Sequence, residues 1–130
     1  MSVALDSWVV IEWLRGHEPS CSAVDEVLQA PVEPVISWVN LAEVHYRWVR
    51  DYGHRRATET TEALGEALRP QLPTRETMLD AAELKATNPI AFADCFAIAT
   101  AAQFSLELWT GDPEIADRSS SLPCAVRDLR

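Results

Sequence analysis

Residues 3–16 have the sequence VALDSWVVIEWLRG, in which a short apolar run passes through one acid into a longer apolar segment. The run at residues 3–5 is typical of a short buried strand, and it ends at Asp6. Residues 7–15 are almost continuously apolar and stop at Gly16, which predicts a buried helix closed by a glycine. A buried strand that leads directly into a buried helix is the unit from which parallel α/β sheets are built.

The same alternation continues along the chain. The apolar periodicity, with Ser37 and Thr74 as capping residues, predicts helices over residues 20–29, 37–52, 54–68, 74–87 and 91–104. Strands are expected at residues 35–36 and 106–110, with weaker signals at Leu72 and residues 122–126. These elements predict one α/β domain over residues 1–130, a three-layer α/β/α sandwich around a short-stranded parallel sheet. Sites in such sheets form beyond the carboxyl ends of the strands.

Composition points to an ordinary globular protein, with 130 residues of which 48% are apolar and 24% are charged. The apolar start carries Asp6 and Glu12 and has no basic flank, so it predicts neither a signal peptide nor a membrane span. Cys21, Cys95 and Cys124 are odd in number and widely spaced, which favours a reduced interior over a disulfide framework or a zinc site. We therefore expect a cytoplasmic protein without a membrane partner.

The net charge of -9, from 20 Asp and Glu against 11 Lys and Arg, argues against a nucleic-acid partner on bulk charge alone. An acidic surplus favours metal ions, a basic protein partner, or solubility alone. Any binding of RNA must therefore depend on a local site.

Four carboxylates, Asp6, Glu43, Asp94 and Asp112, follow predicted strands or lie near helix starts. Each has a structural explanation alone, as a helix cap, as an acid at a helix N-terminus, or, for Glu43, as a partner of Arg47. Together, at like-facing ends of successive elements, they would converge and repel one another. A hard divalent cation would remove that repulsion, and Mg²⁺ or Mn²⁺ takes such oxygen ligands.

The four acid-bearing segments resemble, in order, the acidic blocks of the PIN (PilT N-terminal) family, and of its VapC-type toxins in particular. The segments are LDSWVVIEWLRG, ISWVNLAEVHYRW, FADCFAIATAAQF and LELWTGDPEI. The resemblance spans about residues 3–126. It implies an α/β/α sandwich, Mg²⁺- or Mn²⁺-dependent endoribonuclease activity, a homodimer, and inhibition by a cognate basic antitoxin of a type II toxin–antitoxin system.

The resemblance also implies a metal-holding acidic quartet and a supporting hydroxyl, namely Asp6, Glu43, Asp94, Asp112 and Thr110. Of these, Glu43 is expected to help hold the metal or to orient the attacking water. Trp8 departs from the family pattern, in which Ser or Asn is common, so Ser7 is expected to supply the hydroxyl on the substrate side. Asp117, a further acid nearby, is predicted to be a surface acid rather than a ligand.

Basic residues concentrate on and after the helix that contains Glu43. Arg47 and Arg50 follow Glu43 by four and seven residues, so they share its side of the helix. They predict a phosphate-contacting rim, but ion pairing with neighbouring acids explains them equally well. His45 lies on an apolar stripe and is predicted to pack, while Trp48 is a candidate anchor for a dimer or antitoxin contact.

Two other functions stay open. The same fold could act on another nucleic acid such as DNA, and cleavage of ribose against deoxyribose substrates would separate the two. A non-catalytic acidic module could receive a basic partner segment, although docking alone does not require four converging carboxylates.

Overall fold

Five short parallel strands form the sheet in the computed structural model, which describes residues 2–130. The strands are β1 (Ala4–Leu5), β2 (Val35–Ser37), β3 (Arg69–Gln71), β4 (Leu108–Thr110) and β5 (Val126–Asp128). The helices are α1 (Ser7–Leu14), α2 (Ser20–Leu28), α3 (Trp38–Tyr52), α4 (His54–Ala67), α5 (Arg75–Thr87), α6 (Phe92–Gln103) and α7 (Pro113–Ala116). A 3₁₀ turn covers Ser119–Ser121. No helix in residues 2–130 is long and apolar enough to cross a membrane.

The strand order β3-β2-β1-β4-β5 puts β1 at the centre of the sheet. Leu5 of β1 lies beside Ile36 of β2 and Trp109 of β4. Because the strands are parallel, their carboxyl ends meet at one edge of the sheet, which is where the residues after each strand collect.

Hydrophobic cores cover both faces of the sheet. Adjacent strand residues point to opposite faces, so Leu5 packs with side chains of α1 to α4, while Ala4 packs with those of α5 to α7. Leu108 and Trp109 divide between the two cores in the same way. The predicted three-layer sandwich with a short-stranded parallel sheet is therefore confirmed.

The third strand differs from the prediction, since it contains Pro70 rather than Leu72. Leu72 is 78% exposed and lies beyond the strand. Proline is tolerated in β3 because this strand is at the edge and pairs only with β2.

The last two strands are also displaced from their predicted positions. β4 begins at Leu108 because the turn that closes α6 extends to Leu106, whose N–H donates to the Ala101 carbonyl at 2.9 Å. β5 covers Val126–Asp128 instead of residues 122–126, because the segment that leaves the 3₁₀ turn reaches the sheet only after Pro123 and Cys124.

The expectation that Trp48 contacts a partner is wrong. Trp48 is 5% exposed and packs in the core, with the Tyr52 ring 5.1 Å away and the Arg15 guanidinium 5.9 Å from its own ring centre. His45, as predicted, has a structural contact, because its Nδ1 and the Thr61 hydroxyl are 2.6 Å apart across α3 and α4. The exposed apolar side chains of α3 are instead Trp38, Tyr46, Val49 and Tyr52.

Two neighbouring alanines of α6 offer a direct test of core packing. Ala101 is fully buried, whereas Ala102 lines an open groove of about 390 Å³ between α5 and α6. We expect Ala101→Leu to lower the free energy of unfolding by about 1–3 kcal/mol through overpacking. Ala102→Leu should change it by less than about 0.5 kcal/mol. Urea unfolding measures both, and equal losses would contradict this packing.

Candidate metal centre

Asp6 joins the central strand to helix α1. Its Oδ1 accepts a hydrogen bond from the Val9 N–H at 3.0 Å, so it caps the helix. Its Oδ2 accepts a hydrogen bond from the Thr110 hydroxyl at the end of β4. The side chain is 1% exposed. Asp6 therefore caps its helix and is also fixed by the adjacent strand.

Thr110 connects Asp6 to Asp112 by hydrogen bonds. Its hydroxyl oxygen accepts a hydrogen bond from the Asp112 N–H at 3.0 Å while donating to Asp6. Asp112 caps α7, with Oδ1 accepting from the Glu114 N–H at 2.9 Å and Pro113 at the first helical position. One buried hydroxyl thus connects two of the predicted acids.

Asp94 completes a close group of carboxylates from its position in the first turn of α6. It is 7% exposed and lies beside the Asp112 carboxyl group. Carboxylate oxygens of Asp94, Asp112 and Glu114 all lie within 4.8 Å of one another. Glu114 was not predicted from the sequence, and its place two residues after Asp112 was the available signal. Asp117, as predicted, is a surface acid, and it bonds Arg130 at 2.9 Å.

Glu43 reaches the same edge of the sheet from α3. Its Oε1 accepts a hydrogen bond from the Ser7 hydroxyl at 2.8 Å, which ties α3 to the start of α1. Ser7 is 6% exposed. The predicted hydroxyl is therefore beside Asp6, and in this structure it holds Glu43.

Asn40 is a second residue that sequence reasoning missed. It is fully buried, and its Nδ2 donates to the Ala93 carbonyl at 3.0 Å, immediately before Asp94. This bond fixes α3 against the start of α6. Its place three residues before Glu43, on the buried side of an amphipathic helix, was the available signal.

The acids of the site are poorly compensated within the protein. Burial is the main cause that raises the pKa of Asp6 to about 7, with the bonds from Thr110 and Val9 opposing it and the charges of Asp112 and Glu43 adding to it. Burial, followed by the contact with Asp112, raises the pKa of Asp94 to about 8. Across residues 2–130, no Lys or Arg forms a salt bridge with any member of the quartet.

The predicted basic rim is only partly explained by ion pairs. Arg50 is exposed, and its Nε bonds Asp51 at 3.1 Å, so pairing with a neighbouring acid holds for this residue. The expected pair between Arg47 and Glu43 is not formed in the described part of the chain. A role in contacting phosphate stays a prediction for both arginines.

The chemistry of the site suits a divalent cation. Its side chains offer carboxylate oxygens, hard donors of the kind that hard cations prefer. Two of these carboxyl groups have raised pKa values because they are buried together without a positive partner. A bound cation would supply the missing charge.

A family model for the PIN domain matches residues 3–119. The chain belongs to the PIN domain family. No curated protein matches its sequence. The fold of this PIN domain is also found in solved toxin–antitoxin structures of low sequence identity.

VapBC2 from Rickettsia felis, bound to a DNA fragment from its promoter, contains a chain similar to this one with a TM-score of 0.79, 12% identity and full coverage of both chains. A chain of VapBC-1 from nontypeable Haemophilus influenzae is similar with a TM-score of 0.74 and 21% identity, and the match covers 98% of each chain. VapC20 from Mycobacterium tuberculosis, a Sarcin-Ricin loop cleaving toxin, is similar with a TM-score of 0.71 and 17% identity. The match covers 89% of this chain and 94% of that one.

The stability of the metal-free PIN domain should fall as pH rises from 5 to 8.5. Asp6 and Asp94 have pKa values of about 7 and 8, above the ordinary 3.8, so the folded state keeps protons that the unfolded state has lost. The destabilisation that these two carboxyl groups cause therefore grows with pH until the pH exceeds their pKa values in the folded state. Since one pKa unit corresponds to about 1.4 kcal/mol, the loss is on the order of a few kcal/mol. Urea unfolding in chelator at several pH values measures it.

Two variants control this experiment. Asp94→Asn should flatten the pH profile and raise stability at pH 8, because the amide carries no charge into the site. Asp80→Asn, at an exposed position on α5, should leave the slope unchanged. A profile equally steep in Asp94→Asn and the parent protein would show that the slope arises elsewhere.

Proposed function

We propose that this PIN domain is a Mg²⁺- or Mn²⁺-dependent endoribonuclease and the toxin of a type II toxin–antitoxin pair that acts in the cytoplasm. The observation that carries the proposal is the group of Asp94, Asp112 and Glu114, whose carboxylate oxygens lie within 4.8 Å of one another. Asp6 is joined to this group through Thr110, and Glu43 reaches the same edge of the sheet through Ser7. Membership of the PIN family supports it. So do the toxin–antitoxin structures that share the fold.

Asp6, Asp94 and Asp112 would hold the metal, with Glu43 completing the set or orienting the attacking water. Glu114 is the further acid within reach of Asp94 and Asp112. A bound divalent ion lowers the pKa of its water and neutralises charge on the phosphate of the scissile bond. All the protein groups that this chemistry requires are then oxygen ligands, and no histidine base is needed.

The protein's own contribution is to keep the acids in place before substrate arrives. Each Asp6 oxygen already accepts one hydrogen bond, from Val9 or Thr110, so the carboxylate has little freedom to turn. Ser7 restrains Glu43 in the same way. Ligands that are fixed in advance lose little entropy when metal and substrate bind.

RNA is the proposed substrate, with Arg47 and Arg50 as phosphate contacts and Ser7 on the substrate side. Positive charge at the rim would offset locally the repulsion between a phosphate backbone and a protein of net charge -9. The Sarcin-Ricin loop cleaving activity of the similar VapC20 chain supports RNA over DNA.

The proposed protein partners are a basic antitoxin and a second copy of the chain. An arginine of the antitoxin would pair with the uncompensated carboxylates, since bidentate contacts with arginine are strong. Its apolar contacts cannot include the buried Trp48, so exposed side chains such as Tyr46 and Val49 of α3 are better candidates. Exposed apolar residues on α5, Met78 and Leu79, are candidates for the dimer contact.

Asp6→Asn tests the proposed enzyme. A neutral amide is a much poorer ligand for a hard cation, so divalent-ion affinity should fall sharply while the cap on α1 is largely kept. Loss of several kcal/mol of transition-state stabilisation predicts cleavage slower by more than about a hundredfold. Calorimetry with Mn²⁺ and single-turnover cleavage of a ribose oligonucleotide measure the two effects.

Asp80→Asn is the matched control, an identical change at an exposed site outside the carboxylate group, and it should bind Mn²⁺ and cleave like the parent protein. A deoxyribose oligonucleotide of the same sequence should resist cleavage. Undiminished cleavage by Asp6→Asn would refute the assignment of the acids. Cleavage of deoxyribose but not ribose would favour the alternative of a PIN nuclease acting on DNA.

Competition with Mg²⁺ tests the proposed antitoxin contact. Binding of an arginine-bearing basic peptide should weaken as Mg²⁺ rises at constant ionic strength, because both neutralise the same carboxylates. Asp112→Asn should weaken binding of the peptide in the absence of metal. Affinity that does not respond to Mg²⁺ would place the partner outside this group of acids.

A further inference from the structure

Trp8, the second residue of α1, lies directly on the backbone of Gly111. A Cβ atom added to Gly111 would be 2.3 Å from both Cη2 and Cζ3 of the Trp8 ring, and 2.6 Å from Cε3. Side-chain atoms do not approach one another so closely, so the ring occupies the space that any side chain at residue 111 would need.

Gly111 is not required by its own backbone. The positive-φ glycines among the described residues are Gly16 and Gly53. An alanine at residue 111 would therefore meet no conformational penalty of the kind that favours glycine. The ring of Trp8 is what makes glycine necessary at this position.

The place of this contact gives it a consequence for the site. Gly111 connects Thr110, which bonds Asp6, to Asp112, which lies beside Asp94. The four-residue helix α7 that follows is too short to hold Asp112 by itself. Trp8 is half-buried and packs against the core of α1 to α4, so it connects this turn to a rigid part of the fold.

We propose that Trp8 is a positioning residue for the metal site. Its ring, seated on Gly111, sets how far the turn of Thr110, Gly111 and Asp112 lies from Asp6, and so fixes the separation of two metal-holding carboxylates. The proposal rests on the proposed metal-dependent function. It also explains why a large aromatic residue is accommodated next to Ser7, where the family resemblance leads one to expect Ser or Asn.

The test measures Mn²⁺ affinity by calorimetry in the parent protein and in Trp8→Ala, Gly111→Ala and the double variant. Trp8→Ala should weaken Mn²⁺ binding by about tenfold, because Asp112 is no longer held at a fixed distance. Gly111→Ala should weaken it similarly by displacing the ring. The two losses should not add: with the ring absent, the new methyl group has room, and the double variant should bind no worse than Trp8→Ala. Strong coupling of this kind is expected only for groups in direct contact.

Trp13→Ala is the control for a merely structural role. Trp13 is on the same helix and also packs against the core. Its Nε1 donates to Asp25 at 2.9 Å, and Asp25 is not one of the carboxylates of the metal site. This variant should lose stability yet keep its Mn²⁺ affinity at a temperature where it is folded. If Trp8→Ala does not fold, Trp8→Phe and Gly111→Ala provide the comparison. Trp8→Phe keeps an apolar side chain at residue 8, and Gly111→Ala keeps a small residue at residue 111.

The outcomes separate this proposal from the proposed function. Mn²⁺ affinity within about twofold of the parent in Trp8→Ala, or purely additive losses in the double variant, would overturn the positioning role while leaving the metal site intact. Failure of the parent protein itself to bind Mn²⁺, or unchanged binding by Asp6→Asn, would overturn both.

Discussion

The hydrogen bond from the Thr110 hydroxyl to the Asp6 carboxylate joins the ends of two adjacent parallel strands. It exists because Leu5 of β1 and Trp109 of β4 are in register, so the residues that follow each strand emerge side by side. The same hydroxyl accepts the Asp112 N–H. Asp6 is thereby held to Thr110 and Asp112, which come from a distant part of the chain, and Asp94 and Glu43 approach these residues from α6 and α3.

The site contains carboxyl groups in a place where burial disfavours their charged form. Asp6 and Asp94 are buried at the carboxyl-end edge of the sheet, and their raised pKa values express the free-energy cost of ionising them there. The cores above and below the sheet have to offset this cost. A bound ligand with positive charge would reduce this free-energy cost, and binding of such a ligand would therefore stabilise the fold.

The sequence predicts most of this arrangement where regular patterns carry the signal. Asp6 and Asp112 could be placed because each follows an apolar run that ends at a capping position. For Glu114 the signal is weak, its place two residues after Asp112, because α7 has four residues and no periodicity. The partner of Asn40 is 53 residues away in the chain. The prediction for Trp48 is wrong because the pattern of one helix does not reveal which other parts of the chain cover it. The single-domain organisation and the roles of the site residues stay predictions.

Pro70 has a consequence for how the molecule can associate. The Arg69 N–H donates inward to the Pro34 carbonyl, and alternation along a strand then directs the nitrogen of Pro70 toward the open side of β3. That nitrogen carries no hydrogen, so this short strand presents no outward N–H donor within its own length. An incoming strand would find acceptors without matching donors, and the sheet resists extension into a continuous intermolecular sheet on this side.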